Sequence, residues 1–598
     1  MSQRRRLNLF AFTPETDALF GMLMIASIWL ALFLGPAFAL LFGFDNPLSN
    51  ISVTTRGLEV TRAYLPIICF SSIAVSAVLV VACILYFRHP YEIRRRRKIG
   101  SISEKDQEIQ DQVSKLAIHS GVEPPKIEMP PQGLRGTDAQ AFGVGKMRRV
   151  ALDGGLRILR KTKPHIFNAI LRHELAHFAN QDIGKSYFSD ALWKSIRWVI
   201  ILPFVLGLLG YIILAIYLGV LYGDLLQRFT GPIQSFFWLI VQFGFVLLVA
   251  GLMWVRLIRT REFYADWRAV LWGAQSGLNI IFQEEVEKEK PKPRFNVFQF
   301  HPDGKERLVA IEHPEELFKY SPMMIFMAGL LLASLFIGLY FSLAAFLTFA
   351  GVMQAIRDAS TGWAYWLARG VFWLGIAALI FFAFGLTGWL INGVLLPQIQ
   401  KQVVLELINR QRGWIQYIKM LMIAVILVAG IELGFFMSPF SVFAPIGLWE
   451  IVLEIFIIAP ILVLIAWLYL AYLRFISLRL TATQVGKNYS VWRKRFMQAA
   501  SALWVFLFFV PGLFLSRFLS GELLEVFMYA SLIWLASTLL LGSLAFAGSW
   551  AVIKLSFDNQ PRKCPHCGKI TEHAAPAIEQ CEHCEGVLGE WLFVEEKG

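Results

Sequence analysis

The sequence predicts a polytopic α-helical membrane protein of about ten transmembrane helices, with small folded segments on one side of the bilayer. Three observations carry that expectation. Hydrophobic residues make up 56% of the chain and charged residues only 17%, where soluble domains run near 45–50% apolar and about 25% charged. Mean hydropathy is +0.56. Charge-poor apolar stretches of roughly 20 residues, the length that crosses a hydrocarbon core, recur along the 598 residues. Fifty Phe against six Cys exclude disorder and a disulfide-rich scaffold, and the composition argues against a soluble globular enzyme.

Ten such stretches cover residues 18–43, 64–87, 198–222, 232–255, 322–350, 371–396, 420–443, 453–473, 496–516 and 526–553. Trp and Tyr crowd many of their ends, as at Trp193, Trp198, Tyr222, Trp254 and Trp414, in the manner of an interfacial belt. Ala37-Phe38-Ala39 has the small-x-small form of a signal cleavage site. The apolar run before it is too long for a signal peptide and a second span follows at once, so the first stretch is read as a transmembrane helix.

The net charge of +13 does not form a stripe on a soluble domain, so no nucleic-acid partner is expected. Basic residues fall instead into alternate connections. One set holds Arg4–Arg6, Arg88, Arg94–Lys98, Arg256, Arg259, Arg261, Lys401, Arg410, Arg412, Arg474, Arg479, Lys487 and Arg493–Arg495. The other holds only Arg56, Arg62, Arg228, Arg357, Arg369 and Arg517. The positive-inside rule then puts both termini in the cytoplasm, with an even number of spans. Arg94–Lys98 is read as topology-setting rather than as a grip on anionic lipid.

The expected organisation follows. Residues 1–87 hold two transmembrane helices, 88–197 a cytoplasmic domain, 198–255 a transmembrane hairpin and 256–320 a second cytoplasmic segment; 321–554 form a six-helix membrane region and 555–598 a small tail. In the cytoplasmic domain, Ser103–Ile118 and Ile166–Gln181 read as helices, and Lys126–Met129, Ala139–Val144 and Arg149–Leu152 as short strands. No repeat of fixed period is visible.

Within the second of those helices lies His173-Glu174-Leu175-Ala176-His177. Positions i and i+4 share a helix face, so His173 and His177 can offer imidazole nitrogens to one zinc while Glu174 faces a water on that metal as general base. Pro164 stands where a helix start tolerates proline. A catalytic zinc site needs a third protein ligand and an open position. Glu262, in Arg261-Glu262-Phe263-Tyr264-Ala265-Asp266, is the candidate ligand. Asp266, one turn on, and Asp182, just past the first helix, are candidates to hydrogen-bond the ligating imidazoles and fix their tautomers. A small sheet beside the metal helix is what a zincin-like α+β fold requires.

Over roughly residues 15–320 this arrangement resembles the HtpX-type membrane zinc metallopeptidases, of the gluzincin group that also contains the CAAX prenyl protease family. Two spans, then HELAH, then two spans, then a Glu-Phe-x-Ala-Asp run make up the likeness. Ala139-Gln140-Ala141-Phe142-Gly143-Val144-Gly145 is similar to the Asn-Ala-Phe-Ala-x-Gly strand of that family, and His301-Pro302 with trailing Arg307 to its His-Pro segment. The resemblance implies His173, His177 and Glu262 as zinc ligands, Glu174 as base, and His301 or Arg307 as the group that stabilises a tetrahedral oxyanion. It implies Gln140, Ala141, Phe142 and Gly143 as the strand that pairs with an extended substrate. Gln140 departs from the family's Asn and Gly143 from its Ala, which bears on substrate geometry.

The tail carries Cys564-Pro565-His566-Cys567 and Cys581-Glu582-His583-Cys584, close to the spacing of a four-thiolate zinc site. A closed structural zinc ribbon is expected, since the reducing cytoplasm disfavours disulfides; its partner is not readable. Cys69 and Cys83 fall in the second span as ordinary buried thiols. Glu432, Glu450 and Glu454 fall at or near membrane segments, where an acid is either a functional group or a protonated bridge between helices.

The expected function is a zinc metalloendopeptidase of the bacterial inner membrane, active at the cytoplasmic face. Its substrates are membrane or membrane-associated proteins, with prenylated peptides a second substrate class, and it holds one catalytic and one structural zinc. The alternative is a non-proteolytic membrane scaffold or transporter retaining a metallopeptidase-like half. The intact Glu174 argues against it, because zinc ligation alone has no use for that carboxylate.

Overall fold

The computed structural model describes residues 5–7, 9–11, 14–41, 57–101, 106–130, 136–222, 225–288, 299–333, 391–408, 414–437 and 459–483, with short pieces at 562–563, 569–571, 583 and 593–595. The expected spans 496–516 and 526–553, nearly all of 371–396, Glu450, Glu454 and the four tail cysteines lie outside the described residues.

Six described helices are long and apolar enough to cross a membrane: Glu15–Leu32, Phe70–Arg97, Asp182–Leu221, Phe237–Leu271, Pro314–Ala333 and Gln416–Phe436. The first expected span is not continuous. Helix α1 (Glu15–Leu32) ends before α2 (Leu34–Leu41), because Pro36 has no N–H to give the carbonyl of Leu32. Helix α3 (Gly57–Arg97) runs on from the second span into the arginine cluster. Expected span 453–473 is described from Ala459 onward, in a helix that runs on to Thr483.

The helix over 322–333 and the helix Trp414–Phe436 meet backbone to backbone. A Cβ on Gly430 would lie 2.2 Å from the carbonyl oxygen of Phe326, and one on Gly329 would lie 2.2 Å from that of Leu427. Small residues permit such close crossings in lipid, where packing rather than hydrophobicity joins helices. Glu432, half-buried, follows at this crossing. Gly430→Val is expected to destabilise the detergent-purified protein by about 1–3 kcal/mol, the usual cost of overpacking, and to lower its thermal midpoint accordingly. Gly210→Val is the control, since nothing lies within 4 Å of a Cβ built there.

The soluble domain begins where α3 ends. Strands β2 (Gly100–Ser101), β3 (Lys126–Met129), β4 (Ala139–Phe142) and β5 (Arg149–Leu152) form one sheet in the order β2-β3-β5-β4, with β3 and β5 parallel and the other pairs antiparallel. The expected strand Ala139–Val144 stops at Phe142. Gly143 turns to φ +139°, and a Cβ there would collide with the carbonyl of Met147, so an alanine could not stand at this position. Helix α4 (Gln107–His119) and α5 (Leu156–Thr162) flank the sheet. Helix α6 (Pro164–Asn180) lays Phe167, Leu171, Leu175 and Phe178 into a core with Phe142, Val150 and Leu152.

Two arginines of the cluster do more than set topology. Arg94 grips Glu128 through Nε at 2.9 Å and Nη2 at 2.5 Å, and Arg97 reaches Asp138 at 2.7 Å. They fasten the sheet to the membrane helix, while Arg95 and Arg96 stay exposed.

Helix α7 (Asp182–Ile196) continues through a π-turn into α8 (Leu202–Tyr222), and the chain returns as α9 (Leu225–Leu271), a single helix of 47 residues. Its flank is closed by α10 (Gln275–Lys288), α11 (Gly304–Glu312) and the 3-10 turn Pro314–Phe318. Tyr264, Trp267, Phe282 and Phe318 bury there with Leu9 and with Val404 from the helix Leu396–Ile408. The helix Leu396–Ile408, beyond residue 320, is therefore built into the same core. Lys401, read as a loop charge, is instead fully buried and lies 3.5 Å from Glu15, which also binds Arg256 at 3.0 Å. A charge beside an apolar run looks the same in sequence whether it faces water or a buried carboxylate.

The two termini meet. Strand β1 (Arg5–Leu7) pairs antiparallel with β8 (Phe593–Glu595), and Phe10, just beyond β1, packs edge-on to Tyr264 and beneath the Arg268 guanidinium. Between them in the tail, β6 (Arg562–Lys563) pairs with β7 (Ile570–Thr571) across the segment that contains Cys564 and Cys567 in sequence.

Candidate metal centre and active site

Helix α6 starts on Pro164 and stops at Gln181, whose φ of +54° turns the chain sharply into α7. That turn brings Asp182 back onto the helix it follows: its carboxylate oxygens each lie 3.1 Å from Nδ1 of His177. From α9, Asp266 Oδ1 lies 2.8 Å from Nδ1 of His173. With an aspartate oxygen close to Nδ1 of each imidazole, both Nε2 atoms face Glu262, at 3.3 Å from His173 and 3.8 Å from His177. Acidic partners on Nδ1 fix the tautomer that leaves Nε2 free as a ligand.

The donor atoms of His173, Glu174 and His177 lie within 4.8 Å of one another, and all three residues are buried. The two imidazoles together with Glu262, whose oxygens lie 3.3 and 3.8 Å from their Nε2 atoms, make the donor set of a catalytic zinc site, and Glu174 stands beside it. The electrostatics agree. Burial opposes the charge of Glu262, but Arg261 and the two imidazoles outweigh it and hold the carboxyl well below the usual range. Burial likewise pulls His173 down, yet Asp266 and Glu262 raise it to about 10. A cation is what this site is arranged to hold. Without a metal that cation is the His173 proton, so binding zinc near neutral pH is expected to release it. The dependence of the binding enthalpy on buffer ionisation heat measures that release.

Glu174 follows His173 on α6 and is buried with it. Burial pushes its carboxyl up, toward the range in which a carboxylate serves as a base at neutral pH. One of its oxygens accepts the N–H of Ala141 in β4 at 2.5 Å. The strand expected to receive substrate therefore lies directly against the base.

Arg307 is placed differently from the expectation of an oxyanion-stabilising group. Asp303 N-caps α11 in a capping box with Glu306, and the helix so started aims Arg307 at Asp266, with Nε at 2.7 Å and Nη2 at 2.6 Å. Its guanidinium lies over the Phe282 ring at 4.1 Å. Arg307 thus holds the aspartate that holds His173, because the nearest buried counter-charge claims it. His301 stands exposed on the bend before α11.

Three residues of the site had no signal in the sequence. Arg261 bonds Glu262 at 2.9 Å and Ser186 at 2.7 Å; as the last of three arginines after a span, it was indistinguishable from a topology charge. Asn180 accepts from Arg268. Tyr187, ten residues past His177, donates its hydroxyl to the carbonyl of Ala141 at 2.7 Å, a contact between distant segments that no local spacing encodes.

A helix bearing two imidazoles and a carboxylate, set against an edge strand and closed by a carboxylate from a second helix, defines a metallopeptidase site on a chain rich in membrane-type helices. Residues 103–315 match the family model of Peptidase family M48, which supports a metallopeptidase domain over that stretch; peptidases of that family are zinc-dependent. No curated protein and no solved structure matches the chain.

Proposed function

We propose that the protein is an HtpX-like integral-membrane zinc endopeptidase that hydrolyses peptide bonds of membrane or membrane-associated proteins at the cytoplasmic face. The convergence of both Nε2 atoms on Glu262, with each Nδ1 tied to an aspartate, is the observation that carries this reading.

His173, His177 and Glu262 would hold the catalytic zinc. The ion supplies Lewis acidity, polarising a carbonyl and bringing the pKa of a water toward about 7. Glu174 takes the proton of the attacking water on its carboxylate and returns it to the leaving nitrogen. Strand β4 aligns the substrate backbone, His301 supports the developing oxyanion, and Asp266, Asp182 and Arg307 keep the imidazoles oriented. The charge asymmetry of the connections supports a cytoplasmic site, and the composition with the HtpX-type resemblance supports a bacterial inner membrane. Cys564, Cys567, Cys581 and Cys584 hold a second, structural zinc in the tail, which serves contact with another protein.

Removal and return of the metal test the reading. Stripping purified protein with a chelator is expected to abolish cleavage of a panel of membrane-protein substrates, and added zinc to restore it. Zinc-replete protein that cuts nothing the stripped protein spares would overturn the proposal in favour of a scaffold or transporter.

A further inference from the structure

Strand β4 is an outer strand of its sheet. The bond from Asp153 N–H to the Asp138 carbonyl, at 3.0 Å, fixes which residues of β4 face β5. Because bonded and non-bonded pairs alternate along an antiparallel ladder, Gln140 and Phe142 turn their backbone groups to β5, and Ala141 turns its own outward. Both outward groups are already taken. Glu174 accepts the Ala141 N–H at 2.5 Å, and the Tyr187 hydroxyl donates to the Ala141 carbonyl at 2.7 Å.

Tyr187 is not there by chance of rotamer. It is buried, its ring stacks on His89 of α3 at 3.9 Å between centroids, and its hydroxyl also lies 3.4 Å from the Gln140 side-chain amide. The hydroxyl thus occupies the acceptor that the N–H of an added strand would use.

We propose that Tyr187 is a specificity-determining latch on the substrate strand, occupying the Ala141 carbonyl until an extended peptide displaces it. This rests on the peptidase reading above and adds to it the substrate class that passes the latch. An extended segment with a free backbone N–H opposite Ala141 replaces the tyrosine bond with its own. A segment with proline there has no donor to offer, and a segment already folded into helix has its N–H groups engaged. The site therefore selects unfolded, extended stretches.

The test uses the zinc-loaded full chain in detergent. The probes are an internally quenched peptide, chosen from a mixture for cleavage by the wild type, and a fluorescent analogue with a reduced, uncleavable scissile bond. A hydroxyl–carbonyl bond is modest in strength, so Tyr187→Phe is expected to lower both KM and the analogue's Kd about three- to ten-fold while kcat stays within about two-fold. His89→Ala, which unseats the ring without touching the strand, is expected to shift both in the same direction by less, and stands in should Tyr187→Phe fail to fold. Unchanged or raised KM and Kd overturn the latch, as does a loss confined to kcat. A wild type that cleaves nothing in the mixture overturns the peptidase reading instead, and with it the latch that rests on it.

Discussion

Glu174→Gln is expected to leave the chain folded and the zinc content unchanged while cleavage falls about 10²- to 10⁴-fold, the usual contribution of a positioned general base. The amide is isosteric with the carboxylate, and its carbonyl oxygen can still accept the Ala141 N–H that Glu174 accepts at 2.5 Å. Local structure is therefore kept. What is lost is a group that can take a proton, because an amide does not titrate in the working range. The proposed ligands His173, His177 and Glu262 do not depend on it. Zinc analysis, thermal unfolding and turnover on the same preparation separate the cases. Cleavage that survives the substitution would make Glu174 a structural acceptor for β4 and end its assignment as the base.

The second large effect is expected at Asp266, which joins His173, a proposed metal ligand, to the half-buried Arg307. Asp266 is itself 1% exposed. In Asp266→Ala the Arg307 guanidinium stays in the interior without its counter-charge, a change that typically costs about 3–5 kcal/mol. His173 also loses the partner that fixes its tautomer, which typically weakens a metal site about 10- to 100-fold. Adding Arg307→Met removes the orphaned charge, so the double variant is expected to recover much of the stability but none of the zinc affinity. Chemical unfolding and zinc competition measure the two losses separately. An Asp266→Ala protein as stable as wild type would show that Arg307 finds water instead.

The parts of the site legible in the sequence are those written in local spacing. His173 and His177 are one helical turn apart, and so are Glu262 and Asp266; Asp182 follows its helix directly. Each pair needs only the geometry of one helix or one turn to be read. Tyr187 to Ala141, Lys401 to Glu15 and Gly329 to Gly430 are set by how distant helices cross, and residue type alone does not reveal a crossing. Arg307 was legible as a member of the site and not in its role, since an arginine's role depends on which buried anion it meets. The end of β4 was misplaced by two residues because Gly143 reads as permissive in sequence, whereas the left-handed turn it makes is required in the fold.

Glu262, the proposed third ligand, and an apolar segment long enough to cross a bilayer belong to one uninterrupted helix, α9. From Val255, the last apolar residue before Arg256, to Glu262 is seven positions, or about 10 Å along the axis at 1.5 Å per residue. Height above the bilayer and azimuth about the axis are thus locked together, and a single residue inserted between them would raise the carboxylate about 1.5 Å and swing it about 100°. A substrate anchored in the same bilayer and leaving it extended covers about 3.3 Å per residue, so roughly three residues past its own membrane exit reach the metal. Under the proposed function the molecule is a depth gauge, choosing the bond to cut by its distance from the lipid surface.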